Sequence, residues 1–445
     1  MKLKVFKGKD PILREPTKEV EAFDMELQNL IDNMVDTMRQ YNGIGLAAPQ
    51  VGQSKKIIVC EFQPDDGSKE EEGYEKFPLT VLCNPKIKKL SKEQCKMVEG
   101  CLSFPGMELV VKRPKEITVE GTDRYGKLVE ITADGLYGRV LQHEIDHLES
   151  TLFIDHIKEV SVIFFGTGNF GIHALESLHR DPQYKILSVI TGNAFNVKRG
   201  KKIENNPIKE MAKKLGVPII EVTTLKDEKI KGKISKLKPD LGVVTDFGFI
   251  IPENIFSIPK YGTVNIHPSL LPKYRGSTPI QAAILAGDKE IGVSLIKIDQ
   301  GVDSGPVIAH TQIKLSGSEN YQILHDYLSE LGASLLLTAL PYYITNDLKP
   351  EAQNDKKASY SKILKKEGGK VTLQTSGIEV DRKVRALYPW PSVYIELNNL
   401  RIQIISVHLD KDENLIVDRV KPAGKNEMSY EDFKNGYKIE LTFAK

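Results

Sequence analysis

The sequence predicts a multidomain α/β protein, on three observations. The texture of the chain changes near residue 158, apolar runs alternate with helical patterns from 161 to about 350, and short strand-like runs follow one another after 366. At 445 residues the chain is too long for one ordinary domain of about 150 residues. The first domain is placed at residues 1–158. An amphipathic helix is expected from Met25 to Tyr41, then short strands such as "KIIVCEF", "TVLCNP" and "EITVEG", then a helix from Leu136 to Leu148. That order is α+β. The acidic "QPDDGSKEEEGYEK" reads as an exposed loop.

The second domain is placed at residues 160–349. Its strands are "SVIFFG", "KILSVIT", "VPIIEV", "LGVVTD" and "GTVNIHP", with helical patterns between most of them. Buried parallel strands joined by crossover helices are the simplest architecture for that alternation. The polar, turn-rich "DLKPEAQNDKKASYSK" falls largely within a linker placed at 350–365. Residues 366–445 carry "KVTLQ", "PSVYIEL", "LRIQIISVHL" and "NLIVDRV", which suggest a small antiparallel β-barrel.

Composition narrows the function classes. With 40% hydrophobic and 27% charged residues the chain is that of a soluble globular protein. Its longest apolar stretch, Ala333 to Ile344, is short and contains Pro341, so no membrane span is expected. The N-terminal "MKLKVFKGKDPILREP" lacks the apolar run of a secretory signal, and a cytoplasmic location is expected. The four cysteines, Cys60, Cys83, Cys95 and Cys101, all lie in the first quarter of the chain, which excludes a disulfide framework for the whole. Residues 1–158 hold 23 basic and 27 acidic side chains, against 39 and 33 afterwards, so net charge changes from −4 to +6 at the joint. Residues 198–238, with 13 Lys/Arg and 5 Asp/Glu, fit either a polyanion-binding face or a solvated lysine-rich surface.

Chemistry concentrates first at "QHEIDH". His143 and His147 are four apart on one helix face and can grip one ion, with Glu144 between them as a base for an activated water. Cys101, in the glycine-containing turn "VEGCLSFPG", supplies a third ligand as a thiolate and leaves a fourth position open. Taken alone, Cys101 reads as a small buried apolar residue. "GIGLAAPQVG" brings glycines for close backbone approach and ends in Gln50, whose amide can donate to a developing oxyanion.

"GIGLAAPQ", "EGCLS" and "QHEIDHL", in this order, resemble peptide deformylase over about residues 1–158. The resemblance implies metal ligands Cys101, His143 and His147, Glu144 as the proton carrier, and Gln50 with the backbone N–H of Leu102 around the oxyanion. It also implies a methionine pocket at Ile44, Leu136 and Val140. The implied cofactor is one divalent metal, Fe(II) by family habit, with Zn, Ni or Co as substitutes. A zinc protease of the H-E-x-x-H kind is the competing reading, but it gives no reason for Cys101 or "GIGLAAPQ".

Gly166-Thr-Gly168-Asn-Phe-Gly171 matches the glycine spacing of a dinucleotide site. Such a site needs an acidic residue at the end of the second strand for the ribose hydroxyls. Thr191-Gly192-Asn193 stands there instead, so no NAD is expected. Stronger chemistry lies in "GTVNIHPSLLPKYRGSTPIQ", where Asn265 and His267 are two apart and share one face at the carboxyl end of a strand. Asp303, in "IDQGVDSGPVI", can bring a carboxylate beside His267. An amide for an oxyanion, an imidazole for protons and a carboxylate beside it suit acyl transfer to an amine. With no evident serine or cysteine nucleophile, direct attack by the substrate amine fits best.

"VIFFGTGNFG", "NIHPSLLPKYRGSTPIQAAI" and "GVDSGPV" resemble the formyltransferases that use 10-formyltetrahydrofolate. Methionyl-tRNA formyltransferases match best, since the likeness continues through "DRKVRALYPWPSVYIEL" and "MSYEDFKNGYK" and covers about residues 160–445. The resemblance implies a Rossmann-like catalytic domain, an OB-like C-terminal barrel, and catalysis by Asn265, His267 and Asp303. It sets Ser269, Leu270, Leu271 and Pro272 against the folate. It also places the tRNA acceptor stem at the loop "TGNAFNVKRGKKIENNP", where Arg199, Lys201 and Lys202 supply charge for phosphates. The family pattern has Pro at Gly168 and Ala at Gly171, and "GVVTDFGFIIP" departs from the common folate-contacting loop around Phe247 to Ile250.

The two resemblances together imply a fusion of two enzymes of formyl-methionine metabolism. One part formylates initiator methionyl-tRNA, and the other removes formate from N-formylmethionyl polypeptides near the ribosome. Two other readings stand beside it. One half can serve as a non-catalytic docking module, or the transferase can act on an amino sugar or nucleotide precursor.

Overall fold

A computed structural model describes residues 2–8, 10–63, 75–156, 158–192 and 206–444. The chain divides into two compact units, Met1–Glu159 and Val160–Lys445.

In the first unit, helix α1 (Met25–Gln40) starts where Asp24 accepts a hydrogen bond from the Leu27 N–H, and it buries Leu27, Ile31, Met34, Val35 and Met38 at helical spacing. Strands β1 (Gly45–Ala47), β2 (Ile57–Phe62) and β3 (Phe77–Leu90) are followed by the β4–β5 ribbon (Gln94–Cys101 and Phe104–Pro114). Next come β6 (Ile117–Thr122) and β7 (Leu128–Ala133). The main sheet runs β1-β2-β3-β6-β7, all antiparallel. Helix α2 (Gly135–Leu148) buries Val140, Leu141, Ile145 and Leu148 against this sheet, and it buries Arg139, Gln142, His143, Glu144 and His147 as well. Buried polar groups need partners or a ligand. Gly138 lets α2 come so near the sheet that a Cβ there would meet the Ala133 carbonyl oxygen at 2.7 Å.

The second unit begins at β8 (Val160–Gly166), an interior strand, third from one edge of a seven-stranded sheet. In chain order follow α3 (Ile172–Arg180), β9 (Tyr184–Gly192), α4 (Pro207–Lys214), β10 (Ile219–Val222), α5 (Glu228–Leu237) and β11 (Leu241–Thr245). Then come α6 (Glu253–Phe256), β12 (Thr263–His267), α7 (Pro279–Ala286), β13 (Glu290–Lys297), β14 (Val307–Lys314) and α8 (Tyr321–Ile344). Strand order is β10-β9-β8-β11-β12-β13-β14. The first five strands are parallel, as the alternating pattern led one to expect, whereas β13 and β14 add antiparallel. The order reverses between β8 and β11, and ligands of such sheets bind at the carboxyl ends of strands around that switch.

The remainder comprises α9 (Gly377–Leu387), β15 (Val393–Leu397), β16 (Leu400–Leu409), β17 (Leu415–Pro422), β18 (Met428–Ser429) and α10 (Tyr430–Tyr437). Its four strands form an antiparallel sheet in chain order. Their inner residues, with Val380 and Phe433 from the two helices, share one apolar core with the seven-stranded sheet. "KVTLQ" forms no strand: Lys370 makes one bridge, to Tyr394, and the chain then turns toward α9. Among the described residues no helix is long and apolar enough to cross a membrane.

Candidate active sites

In the first unit Cys101, at the end of β4, meets His143 and His147 from α2. One ligand atom from each lies within 4.8 Å of the others. Cys101 Sγ is 3.4 Å from His147 Nε2. His143 donates from Nδ1 to Glu99 at 2.9 Å, so its Nε2 is the atom left to bind an ion. This donor set fits a divalent transition metal: one cysteine sulfur with two imidazoles, one of fixed tautomer. His147 suits the role electronically, because burial and the neighbouring His143 push its pKa well below the ordinary value and keep it neutral.

Glu99 anchors more than His143. It also accepts from Arg113 Nε at 2.7 Å and Nη2 at 2.9 Å, and from Arg139 Nη1 at 2.8 Å. Burial alone would raise its pKa, but the His143 and Arg113 hydrogen bonds outweigh that and hold it well below the carboxylate range. Removing one partner of so buried an ion pair typically costs about 3–5 kcal/mol, so the network is also a structural clamp between β4, β5 and α2.

Glu144 is 4% exposed, and burial pushes its pKa to about 7. Its Oε2 and His147 Nδ1 are buried without a hydrogen-bond partner among the described residues. Gly45 makes room for it, since a Cβ there would stand 2.3 Å from Glu144 Oε1. Gln50 is locked: its Oε1 accepts from the Ala47 N–H at 2.8 Å, which aims Nε2 at Cys101 Sγ (3.4 Å) and Ser103 Oγ (3.3 Å). Leu102 follows Cys101 in the turn, its side chain packed where a Cβ on Gly43 would otherwise stand. Ile44, Leu136 and Val140 fall in one apolar cluster beside α2.

In the second unit Asn265 and His267 project from β12 beside Asp303, which has φ +49° in its loop. Asn265 Nδ2 donates to Asp303 Oδ1 at 3.1 Å, and His267 Nδ1 is 3.6 Å from Asp303 Oδ2. The Gly276 N–H holds that same Oδ2 at 2.9 Å. His267 Nε2 lies 2.9 Å from the Tyr274 carbonyl oxygen, so Nε2 carries the proton and Nδ1 is the basic atom beside the carboxylate. A cavity of about 700 Å³ opens here, a size suited to a small-molecule cofactor.

Phe247, Gly248, Phe249 and Ile250 line the cavity; Ser269, Leu270, Leu271 and Pro272 do not. Ser269 is buried, its hydroxyl donating to the Lys273 carbonyl at 2.6 Å, and Leu270 packs onto Gly292 of β13. In this structure that segment supports the loop behind His267. Arg199, Lys201 and Lys202, and most of the acidic stretch at 63–76, lie outside the described residues.

Phe170, Asp246, Tyr321 and His325, absent from the sequence reading, also line the cavity. Asp246 explains a departure noted above. A Cβ at position 168 would lie 1.7 Å from Asp246 Oδ2, and one at position 171 would lie 2.6 Å from Thr245 Cγ2. The two glycines thus accommodate the "TD" that replaces the common loop. Asp246 opens onto the cleft; desolvation by its surroundings raises its pKa from the ordinary value, with His325 pulling the other way.

Comparison with known proteins agrees with this division. The Polypeptide deformylase family model matches residues 2–162, Formyl transferase matches 158–340, and Formyl transferase, C-terminal domain matches 363–416. Methionyl-tRNA formyltransferase of Legionella pneumophila is 31% identical over 308 residues, 64% of this chain and 98% of the relative. The chain belongs to the methionyl-tRNA formyltransferase family, with a peptide deformylase joined ahead of it.

The formyltransferase part is also 36% identical, over 249 residues, to methionyl-tRNA formyltransferase of Dehalococcoides mccartyi, which spans 56% of this chain and 78% of the relative. For the deformylase part, a crystal structure of peptide deformylase from Ehrlichia chaffeensis is 39% identical. It covers 36% of this chain and 89% of its own, with a TM-score of 0.32. The family models and the methionyl-tRNA formyltransferase relatives bear out both resemblances seen in the sequence. The "GTGNFG" turn belongs to the span that the formyl transferase model matches.

Proposed function

We propose that one chain installs and removes the same group. Its formyltransferase part transfers formyl from 10-formyltetrahydrofolate to the amine of initiator methionyl-tRNA, and its deformylase part hydrolyses N-formylmethionyl polypeptides. The carrying observation is that both constellations are complete, each drawn from one unit.

In the deformylase part Cys101, His143 and His147 would hold one divalent metal, which we assign as Fe(II) with Zn, Ni or Co as substitutes. An ion held there would supply Lewis-acid chemistry, polarising the formyl carbonyl and acidifying a water. Glu144 takes the proton of the attacking water and delivers it to the leaving amine, a relay its buried, raised-pKa carboxyl suits. Gln50 Nε2 and the Leu102 N–H donate to the oxyanion. Ile44, Leu136 and Val140 receive the methionine side chain.

In the formyltransferase part the amine attacks the formyl carbon directly. One Asn265 N–H is engaged by Asp303 and its second donates to the oxyanion. His267 Nδ1 takes the amine proton, and Asp303 stabilises the resulting imidazolium. As the carbon–nitrogen bond to the folate breaks, the proton passes to the departing nitrogen, and no nicotinamide takes part. The folate occupies the 700 Å³ cavity. The C-terminal sheet serves as an OB-like tRNA-docking module; the register shifts that break up β16–β17 pairing support such curvature. Both reactions are cytoplasmic, with the deformylase acting near the ribosome.

Replacing Glu144 by Gln is expected to leave the metal bound but slow deformylation at least ~10²-fold, the usual scale for losing a general acid/base. Metal analysis beside a formyl-Met peptide assay checks this, and loss of the metal would give Glu144 a different role. Neutralising Arg199, Lys201 and Lys202 should weaken tRNA binding and flatten its salt dependence, because each phosphate contact contributes to the slope. An unchanged slope would move the tRNA contact elsewhere.

A further inference from the structure

The segment between the two sheets of the second unit does more than connect them. Glu351 pairs with Val307 at the start of β14, through hydrogen bonds of 2.7 and 2.8 Å in the two directions. Ser359 to Lys362 then bind the loop behind His267. Ser359 Oγ accepts from the Tyr274 N–H at 2.9 Å, the Arg275 and Ser361 N–H groups bond to Ser359 and Arg275 carbonyls, and Ser361 Oγ accepts from the Thr278 N–H at 3.1 Å. Between these anchors, Gln353 uses its whole carboxamide. Its Oε1 accepts from Arg275 Nε at 3.1 Å and Nη2 at 2.9 Å. Its Nε2 donates to the carbonyls of Asp303 at 2.8 Å and Gly305 at 2.7 Å.

Both partners of His267 are therefore held by this strap: the Tyr274 carbonyl through Ser359, and Asp303 through Gln353. Arg275, 3% exposed, is the buried post against which the amide is braced, and Asp355 and Tyr360 satisfy the rest of its guanidinium. Asp303 needs such bracing because its φ of +49° is one that a non-glycine residue keeps only when its surroundings impose it.

We propose that Gln353 is a positioning residue for formyl transfer: by tying the Asp303 loop to buried Arg275 it holds the Asp303 carboxylate against Asn265 and His267. The inference rests on the reading that those three residues carry the transfer. A small displacement of a reacting group costs far more in turnover than in ground-state binding.

The test uses the full-length chain with Gln353→Glu and Gln353→Ala. The glutamate keeps the acceptor for Arg275 but sets an oxygen against the two carbonyls; the alanine removes both links. Formylation of methionyl-tRNA should show kcat lowered roughly tenfold to a hundredfold in both, the scale of a misplaced reacting group. KM for 10-formyltetrahydrofolate should stay within threefold, and the thermal midpoint of Gln353→Glu should match the wild type. A kcat within twofold of wild type for Gln353→Glu, a loss confined to KM, or a loss that tracks a lowered thermal midpoint would overturn the positioning role. Asp303→Asn, assayed in parallel, separates the two claims. If it formylates at the wild-type rate, the reading of the site itself fails, whatever Gln353 does.

Discussion

Cys101→Ala is expected to lose the metal and, with it, deformylation of a formyl-Met peptide. The two histidines sit on one helix, so the remnant would hold an ion from one side only, without the thiolate charge that β4 brings across. The neighbouring geometry makes the loss complete. Gln50 presents an N–H donor to the sulfur, and Glu99 is committed to His143 and two arginines, so neither replaces the thiolate. His147→Ala should behave in the same way. Metal analysis of anaerobically purified protein, with the peptide assay on the same sample, checks the expectation. Undiminished deformylation by either variant would defeat the ligand assignment.

His267→Ala is expected to abolish formylation of methionyl-tRNA. The imidazole is 4% exposed, with Nε2 spent on the Tyr274 carbonyl and Nδ1 facing Asp303. Its loss removes the group that takes the amine proton, worth ~10²–10⁴-fold in rate by itself, and leaves the Asp303 carboxylate with no cation to balance. The fold should survive, because Asp303 keeps its bonds to Asn265 and the Gly276 N–H. Single-turnover formylation with saturating 10-formyltetrahydrofolate measures the effect. A loss below tenfold would mean that another group takes the proton.

What the sequence disclosed of these sites follows local periodicity. The i, i+4 pair His143 and His147 had to share a helix face, and the i, i+2 pair Asn265 and His267 had to share a strand face. Cys101 and Asp303 stand in short glycine-flanked turns whose motifs are themselves distinctive. What stayed hidden depends on long-range pairing. Glu99 lies two residues before Cys101 in "VEGC", but its two arginines come from β5 and α2. Gln353 is 50 residues from the carbonyl it holds, inside a polar stretch that reads as a linker. "EIGVSLIK" is buried from Ile291 to Ile296 between an exposed Glu290 and Lys297, and nothing within it shows that β13 runs antiparallel to β12. Ser269 to Pro272 were set against the folate by resemblance alone; in the structure Ser269 to Leu271 meet β13, and the Pro272 carbonyl accepts from the Ser359 N–H.

Each site is assembled within one unit, and sites that share no partners behave additively. The most direct measurement is therefore the crossed one on full-length chains. The peptide-deformylation rate of His267→Ala and the methionyl-tRNA formylation rate of Cys101→Ala are each compared with wild type. Two separate sites in one chain predict that both rates stay within about twofold while each variant's own reaction is lost. A folded variant, by circular dichroism, that loses both reactions would contradict it and show a shared or coupled site.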